Sequence, residues 1–143
     1  MKGFGLRADS NYWLSKQYSK LPIYIWYDFG HRQICPAKIS FGSRQDRLNY
    51  AIRFTPQKYQ LVGSNDDVCN ATAQWQVLCQ DLSGASITSL ADRRFCRVRL
   101  EDGIPCQMFR CVGIKVLQVE EDQYVSLRGI RLWAHDSTQI PHL

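Results

Sequence analysis

The chain has 143 residues, 45% of them hydrophobic, and a net charge of +5, so it is long enough to bury a core as one domain of common size. Its beginning, MKGFGLRADS, has no apolar run after the lysine, and its longest apolar stretch, within LPIYIWY, falls well short of the ~18 residues that a membrane-spanning helix needs. These features predict a single domain over residues 1–143 that is cytoplasmic and has no membrane partner.

The first third of the chain predicts a short helix and two strands. Asp9 or Ser10 is placed to cap a helix through NYWLSKQYSKL, which Pro22 would end. IYIWYDF is rich in aromatic and β-branched residues, a composition typical of a strand. ICPAKISF predicts a second strand, which we expect to be kinked or to lie at an edge because Pro36 has no amide hydrogen for a ladder.

The middle of the chain predicts one more strand and the main helix. LNYAIRFT has the clearest alternation of apolar and other residues, which indicates a strand with one buried face. In SNDDVCNATAQWQVLCQDL, Ser64 or Asn65 can cap a helix, and Asp66 and Asp67 suit its first turn. We expect this helix near residues 65–82, with AQWQVLCQ as an alternative strand, since short apolar runs are ambiguous.

The last sixty residues predict three strands, FCRVRL, CQMFRCVGIKVLQV and QYVSLRGIRLWA. Turns at Asp102-Gly103 and Glu120-Glu121-Asp122 would join them as neighbours. The predicted fold class is therefore α+β. We expect an antiparallel β-meander of about five to seven strands, forming a curved sheet or small open barrel, with one main helix near residues 65–82.

The six cysteines are expected to be reduced and to act as small core residues, because the cytosol keeps thiols reduced. Cys106 and Cys111 are five apart and point to opposite faces of a regular strand. A hairpin at Asp102-Gly103 would therefore bring Cys96 beside only one of them. We expect no metal site here.

Sequence motifs do not favour an enzyme. The chain has no P-loop, no dinucleotide-binding glycine pattern, no His-Glu-x-x-His and no Gly-x-Ser-x-Gly. No catalytic residue and no cofactor is predicted. A catalytic site assembled from scattered residues is the alternative.

Basic and aromatic residues are concentrated in the first half of the chain. Residues 1–63 carry ten Lys or Arg against three Asp, and twelve of the 17 aromatic residues. In FCRVRL, the alternation places Phe95, Arg97 and Arg99 on one strand face. Cations that pair with phosphates beside rings that stack on bases are typical of surfaces that hold single-stranded nucleic acid or nucleotides. The predicted ligand-binding residues are Phe95, Arg97, Arg99, Arg110, Arg44, Arg47, Arg53, Tyr50 and Trp26.

Another part of the chain resembles a known family. Asp81-Leu82-Ser83 followed by Gly84-Ala85-Ser86 resembles the Asp-x-Ser-x-x-Gly element of PilZ domains, with Ser86 at the place of the glycine, and YVSLRGIRLW is similar to the closing strand of that family. The resemblance implies a β-barrel that binds a cyclic dinucleotide.

The sequence thus predicts a non-enzymatic binding module whose basic, aromatic-containing sheet face binds an acidic partner. Nucleic acid or a nucleotide is the favoured partner, because the cations and rings suit phosphates and bases. One alternative is an inhibitor or adaptor that recognises an acidic protein surface. The other is the PilZ-like barrel.

Overall fold

The computed structural model describes residues 13–17 and 20–135, which form eight strands and one helix. In chain order the elements are Trp13–Leu14 (β1), Ile23–Asp28 (β2), Pro36–Gly42 (β3), Leu48–Phe54 (α1), Lys58–Ser64 (β4), Gln76–Asp81 (β5), Arg93–Arg97 (β6), Cys111–Gln118 (β7) and Ser126–Ala134 (β8).

The strands form two four-stranded antiparallel sheets that pack face to face. Sheet A has the order β1-β8-β3-β6, and sheet B has the order β2-β7-β4-β5. Their inner faces share one core, in which the ring centroids of Phe41 of sheet A and Tyr59 of sheet B lie 4.8 Å apart. The architecture is a β-sandwich. The prediction of an α+β domain built on a single curved sheet or open barrel is therefore wrong.

The core follows from the two-residue period of the strands. In β3, Ile39 and Phe41 are fully buried, while Lys38 and Ser40 lie on the opposite face of the strand. Each fully buried side chain of this size contributes about 1.5–3 kcal/mol relative to an exposed one. Burial on one face therefore stabilises each sheet and leaves its outer face available for other contacts.

The order of the strands differs from the predicted meander. β6 pairs with β3, so that Arg97 lies opposite Lys38 and Phe95 lies opposite Ser40. β7 lies in the other sheet, between β2 and β4. The predicted hairpin between FCRVRL and CQMFRCVGIKVLQV is wrong because the chain between them crosses from one sheet to the other.

The helix lies where a strand was predicted. α1 occupies Leu48–Phe54, and its buried residues, Ala51 and Phe54, are three apart as the helical period requires. Seven residues are too few to distinguish the helical period of about 3.6 residues from the strand period of two. The strand alternation would place the small Ala51 on the open face, but it is fully buried. No helix within the described ranges is long and apolar enough to cross a bilayer.

The main helix predicted near residues 65–82 is absent from that stretch, which forms a loop followed by strand β5. Asn70 Oδ1 accepts hydrogen bonds from the Thr72 amide at 2.8 Å and from its hydroxyl at 2.6 Å. Asp66 accepts another, from the Gln74 amide at 2.8 Å. These local bonds compete with helix formation, as Asn and Asp side chains commonly do.

Two of the early predictions are confirmed, since IYIWYDF contains β2 and ICPAKISF contains all of β3 except its last residue, Gly42. Pro36 is the first residue of β3, where a missing amide hydrogen is tolerated, but β3 is a central strand and not an edge. In the predicted helix NYWLSKQYSKL, Trp13–Leu14 is instead strand β1, paired with β8. Its predicted caps, Asp9 and Ser10, lie outside the described residues.

All six cysteines form disulfides, which overturns the expectation of reduced thiols. The pairs are Cys35–Cys106, Cys69–Cys111 and Cys79–Cys96, and their Cα atoms are 6.0, 6.5 and 5.9 Å apart. These distances are within the range that a disulfide spans. The third bond joins β5 to β6, the edge strands of sheets B and A. It closes one side of the sandwich covalently. The partners are 71, 42 and 17 residues apart in sequence, so no local pattern indicates which cysteines pair.

Candidate functional site

The nine predicted ligand-binding residues do not form one surface. Phe95 and Arg97 lie on the outer face of sheet A, opposite the core side chain of Cys96. Arg99 lies beyond the end of β6, where it lines a cleft of about 320 Å³ together with Leu100 and Ile104. Trp26 belongs to sheet B, on the other side of the molecule.

Four of the predicted residues do lie together, at helix α1. The guanidinium carbons of Arg44, Arg47 and Arg53 are 5.2, 5.2 and 5.6 Å from the centroid of the Tyr50 ring. A cation at this distance from the face of an aromatic ring is attracted to the electron-rich ring, which is a cation–π interaction. Tyr50 therefore organises the three arginines around itself.

Carboxylates neutralise two of these arginines. The nearly buried Arg44 donates two hydrogen bonds of 2.7 Å to Asp46, and Arg53 donates to Glu121 at 2.6 and 2.8 Å. The bonds from Arg44 hold the pKa of Asp46 below its ordinary value of 3.8. These pairs brace the helix and the 120–122 turn, which leaves little unbalanced charge there.

Arg110 also has a partner close by. Its Nε and Nη2 donate to the two oxygens of Asp28 at 3.0 and 3.2 Å. These bonds, together with one from the Gly30 amide, lower the pKa of the Asp28 carboxyl. Arg110 therefore joins the end of β2 to the start of β7 in sheet B, whereas Phe95 lies in sheet A.

Three aromatic side chains gather on the outer face of sheet B. The ring centroids of Tyr24 and Trp75 are 5.8 Å apart with nearly parallel planes, at 23°, and those of Trp26 and Trp75 are 6.2 Å apart and tilted by 53°. All three side chains are only half-buried. We call Tyr24, Trp26 and Trp75 the aromatic platform.

The alternation of β2 places two members of the platform. Ile25 points into the core, so Tyr24 and Trp26 point outward from the same strand face. Trp26 lies across Gly113 of β7, where a Cβ would approach within 2.8 Å of the Trp26 Cβ and 2.5 Å of the Ile25 carbonyl oxygen. Only glycine leaves this space, so Gly113 permits the close approach of β2.

The loop of residues 65–75 supplies the third member. The Cys69–Cys111 disulfide attaches this loop to the start of β7. Within the loop, the indole nitrogen of Trp75 donates to the Asn70 carbonyl oxygen at 2.9 Å. The covalent bond and the hydrogen bond together fix Trp75 against the two rings of β2.

A row of polar side chains borders the platform. Across the sheet, Tyr24 lies opposite Lys115, Lys115 opposite Gln60, and Gln60 opposite Gln80. The Lys115 ammonium is 5.6 Å from the Tyr24 ring centroid, and Gln60 donates to Gln80 at 2.9 Å. Side chains that can donate and accept hydrogen bonds therefore lie next to the rings on the same sheet.

Sequence reasoning identified Trp26 but missed Tyr24, Trp75 and Lys115. The alternation within IYIWYD already places Tyr24 on the same face as Trp26, and this signal could have been used. Trp75 could not be found in the same way, because its stretch was assigned to a helix and its position depends on a disulfide.

One cluster has the composition of a metal site. Asp28, Cys69 and Cys111 place one ligand atom each within 4.8 Å of one another. Metal binding needs the thiolate form of cysteine, and these two sulfurs are joined to each other. The cluster therefore serves as the attachment of the 65–75 loop.

The fold is similar to that of a solved carbohydrate-binding module and of a SusE-like protein. No protein-family model and no curated protein matches the sequence. The chain superposes on CBM32-3 from a family 31 glycoside hydrolase of Clostridium perfringens with a TM-score of 0.59 and 15% identity, over 87% of this chain and 75% of that one. A SusE-like protein gives a TM-score of 0.59 and 14% identity over 83% of this chain, which spans half of that protein's length.

This likeness corrects the function and the partners expected from the sequence. The predictions of a nucleic-acid or nucleotide partner and of an adaptor for an acidic protein are wrong, since the matching structures are a carbohydrate-binding module and a SusE-like protein. The PilZ-like barrel is also wrong, because Asp81, Ser83 and Gly84 lie at the end of an edge strand in a two-sheet sandwich.

Proposed function

We propose that residues 1–143 act as one carbohydrate-binding domain, which holds a glycan against the aromatic platform. The observation that carries the proposal is the fixed group of three half-buried rings on the outer face of sheet B. The shared fold with a carbohydrate-binding module supports it.

Sugars match such a surface because a pyranose has both apolar and polar groups at its surface. Its C–H groups form an apolar face, which packs on the electron-rich face of an indole or phenol ring. Its hydroxyls point outward and need hydrogen-bond partners. Lys115 and Gln80, at the border of the platform, can donate to those hydroxyls.

A preformed platform also suits a weakly held ligand. The disulfide, the Trp75 hydrogen bond and the close fit over Gly113 fix the rings before any sugar arrives. Little side-chain freedom is then lost on binding, so more of the contact energy contributes to affinity.

The test is a binding survey with immobilised galactomannan, xyloglucan, dextran and chitin, followed by isothermal titration with oligosaccharides of any chain that retains the protein. Binding should change the tryptophan emission, because two of the three rings are indoles. Trp75→Ala should lower the affinity at least ten-fold, equivalent to about 1.4 kcal/mol.

The matched control is Leu48→Ala, which removes an exposed apolar side chain on helix α1, outside the platform. It should bind as the wild type does. Failure to retain any of the four polysaccharides, or equal affinities for the wild type and Trp75→Ala, would refute the proposal.

We further propose that the chain works in an oxidising compartment and not in the reducing cytosol, since three disulfides persist only where thiols are not kept reduced. Titration of the denatured native protein with a thiol reagent should detect no free cysteine. Six titratable thiols in protein isolated from its natural source would contradict this assignment.

A further inference from the structure

The outer face of sheet A carries a dense group of cations. Ile39, Phe41, Cys96 and Leu132 point into the core, so their neighbours along the strands point outward. The outward cations, which we call the basic face, are Lys38, Arg93, Arg97, Arg128 and Arg131.

The cations are arranged in three rows across strands β8, β3 and β6. The rows are Trp133–Lys38–Arg97, Arg131–Ser40–Phe95 and Arg128–Gly42–Arg93. Neighbouring strands are about 4.8 Å apart and successive rows about 6.7 Å apart, so the backbone positions of the five cations fall within roughly 10 by 14 Å.

Two guanidinium groups converge over a glycine. A Cβ added at Gly42 would lie 3.3 Å from Arg93 Nη1 and 3.5 Å from Arg128 Nη2. Arg93 is held there by hydrogen bonds to Ser40 Oγ at 3.1 Å and to the Gly129 carbonyl oxygen at 2.5 Å, while Arg128 donates to the Ser43 carbonyl oxygen at 3.2 Å. Neutral oxygens therefore position two like charges side by side.

Within the described ranges, no carboxylate lies within ion-pair distance of these five cations. The three ion pairs found there involve Arg44, Arg53 and Arg110. Burial, and then the neighbouring charges of Arg131 and Arg128, lower the pKa of Arg93 below its ordinary value. Like charges held together in this way create a positive electrostatic potential at the surface of sheet A. A bound anion would neutralise it.

The rings on this face are already occupied by cations. Lys38 Nζ lies 4.8 Å from the Phe95 centroid and 4.6 Å from the Trp133 centroid, and the Arg97 guanidinium carbon lies 5.6 Å from Phe95. These contacts position the charges of Lys38 and Arg97 on the face. The face therefore suits a polyanion whose recognition depends on its charged groups.

We propose that the basic face binds an anionic polysaccharide, with Arg93 and Arg128 holding one sulfate or carboxylate group over Gly42. Lys38, Arg97 and Arg131 then pair with the anionic groups of neighbouring sugar units. The planar fork of arginine matches both oxyanions with paired hydrogen bonds. The choice of a glycan as the polyanion rests on the proposed function, whereas the site itself is separate from the aromatic platform.

The test is titration of the protein with heparin, desulfated heparin and polygalacturonate at several salt concentrations. Heparin affinity should fall steeply with salt, because each neutralised anionic group releases counterions. Preference for heparin over its desulfated form assigns the ligand to sulfates, and preference for polygalacturonate assigns it to carboxylates. The triple variant Lys38→Gln/Arg97→Gln/Arg131→Gln should weaken binding at least 100-fold.

The matched control removes the same charge from residues outside the strands of sheet A. The triple variant Lys20→Gln/Arg32→Gln/Lys58→Gln has the same net charge and should stay within three-fold of the wild type. Equal losses in the two triple variants would mean attraction by net charge alone and would overturn the proposal. Tighter binding of single-stranded DNA than of either polysaccharide, lost in the basic-face variant, would overturn it in favour of nucleic acid.

The proposals for the two sites can be refuted independently of each other. Trp75→Ala should keep its heparin affinity, and the basic-face variant should keep its affinity for a neutral polysaccharide. If the protein binds heparin but no neutral polysaccharide, only the proposal for the platform is refuted. The reverse result would remove the basic face alone.

Discussion

Cys69 is bonded to Cys111 across 42 residues of chain, and this bond holds the loop that carries Trp75 over the outer face of sheet B. Cys111 is fully buried at the start of β7, where the strand lies between β2 and β4. The disulfide therefore connects the central strand β7 to the loop that completes the aromatic platform.

We expect replacement of this disulfide to abolish binding at the platform as well as to lower stability. In Cys69→Ser/Cys111→Ser, loss of a native disulfide should cost about 2–5 kcal/mol of unfolding free energy. The loop would also lose its attachment, so affinity for the platform's polysaccharide should fall more than ten-fold at temperatures where the protein is still folded. Thermal unfolding and titration calorimetry measure the two effects separately.

The control for that variant is Cys35→Ser/Cys106→Ser. This pair closes a longer stretch of 71 residues and attaches the loop after β6 to Cys35, the residue before β3 of sheet A. It should lower stability while leaving the affinity unchanged. Equal loss of affinity in the two double variants would mean that the platform depends on overall stability and not on its own disulfide.

Gly113→Ala should damage the platform through packing alone. The new methyl group would collide with the Ile25 carbonyl oxygen and the Trp26 side chain, at 2.5 and 2.8 Å. Overpacking of this kind typically costs about 1–3 kcal/mol. We expect lower unfolding free energy, a shifted tryptophan emission maximum and weaker binding of the platform's polysaccharide.

Gly103→Ala provides the comparison. Gly103 has a φ of +78°, so alanine is strained there, but a Cβ would meet nothing within 4 Å. This variant should lose roughly 1–2 kcal/mol and keep both its emission spectrum and its affinity. A wild-type spectrum in Gly113→Ala would show that Trp26 does not depend on the space over Gly113.

Local sequence signals predicted some strands, but they missed β4, placed a strand where α1 lies, and did not predict which strands pair. IYIWYDF and ICPAKISF were found because alternation and composition are properties of a few consecutive residues. The pairing of β6 with β3 is long-range, and a nearby Asp102-Gly103 turn suggested a hairpin in its place. Nothing local to β6 indicates that the chain leaves the sheet at that turn.

The candidate sites were predicted only in part for the same reason. Phe95 and Arg97 were correctly placed on one face of a strand. Their neighbours Lys38 and Arg131 come from strands more than thirty residues away in sequence, on β3 and β8. Their cross-strand proximity, and with it the density of charge on sheet A, becomes visible only once the strand order is known.

The repulsion within the basic face should make stability depend on salt. Screening weakens like-charge repulsion, so the melting temperature of the unliganded protein should rise between about 0.02 and 0.5 M NaCl. Arg131→Gln removes one of the charges that act on Arg93 and should leave the unfolding free energy unchanged or slightly higher, within about 0.5 kcal/mol. Its melting temperature should also depend less on salt than that of Arg32→Gln. Identical salt responses in the two variants would argue against repulsion on this face.

Asp46 should make stability fall in acid, because it is the carboxylate partner of the nearly buried Arg44. The pKa of Asp46 is lowered from 3.8 by hydrogen bonds from Arg44, so its contribution is fully present above that value and is lost as pH falls through the lower folded-state pKa. Asp46→Asn should cost about 1 kcal/mol at pH 7, since solvent partly screens the carboxylate. The difference in unfolding free energy between wild type and variant, measured by urea denaturation, should shrink below about pH 4 as the wild-type carboxyl protonates. A difference that stays constant between pH 7 and pH 2.5 would mean that the charge of Asp46 does not stabilise the fold.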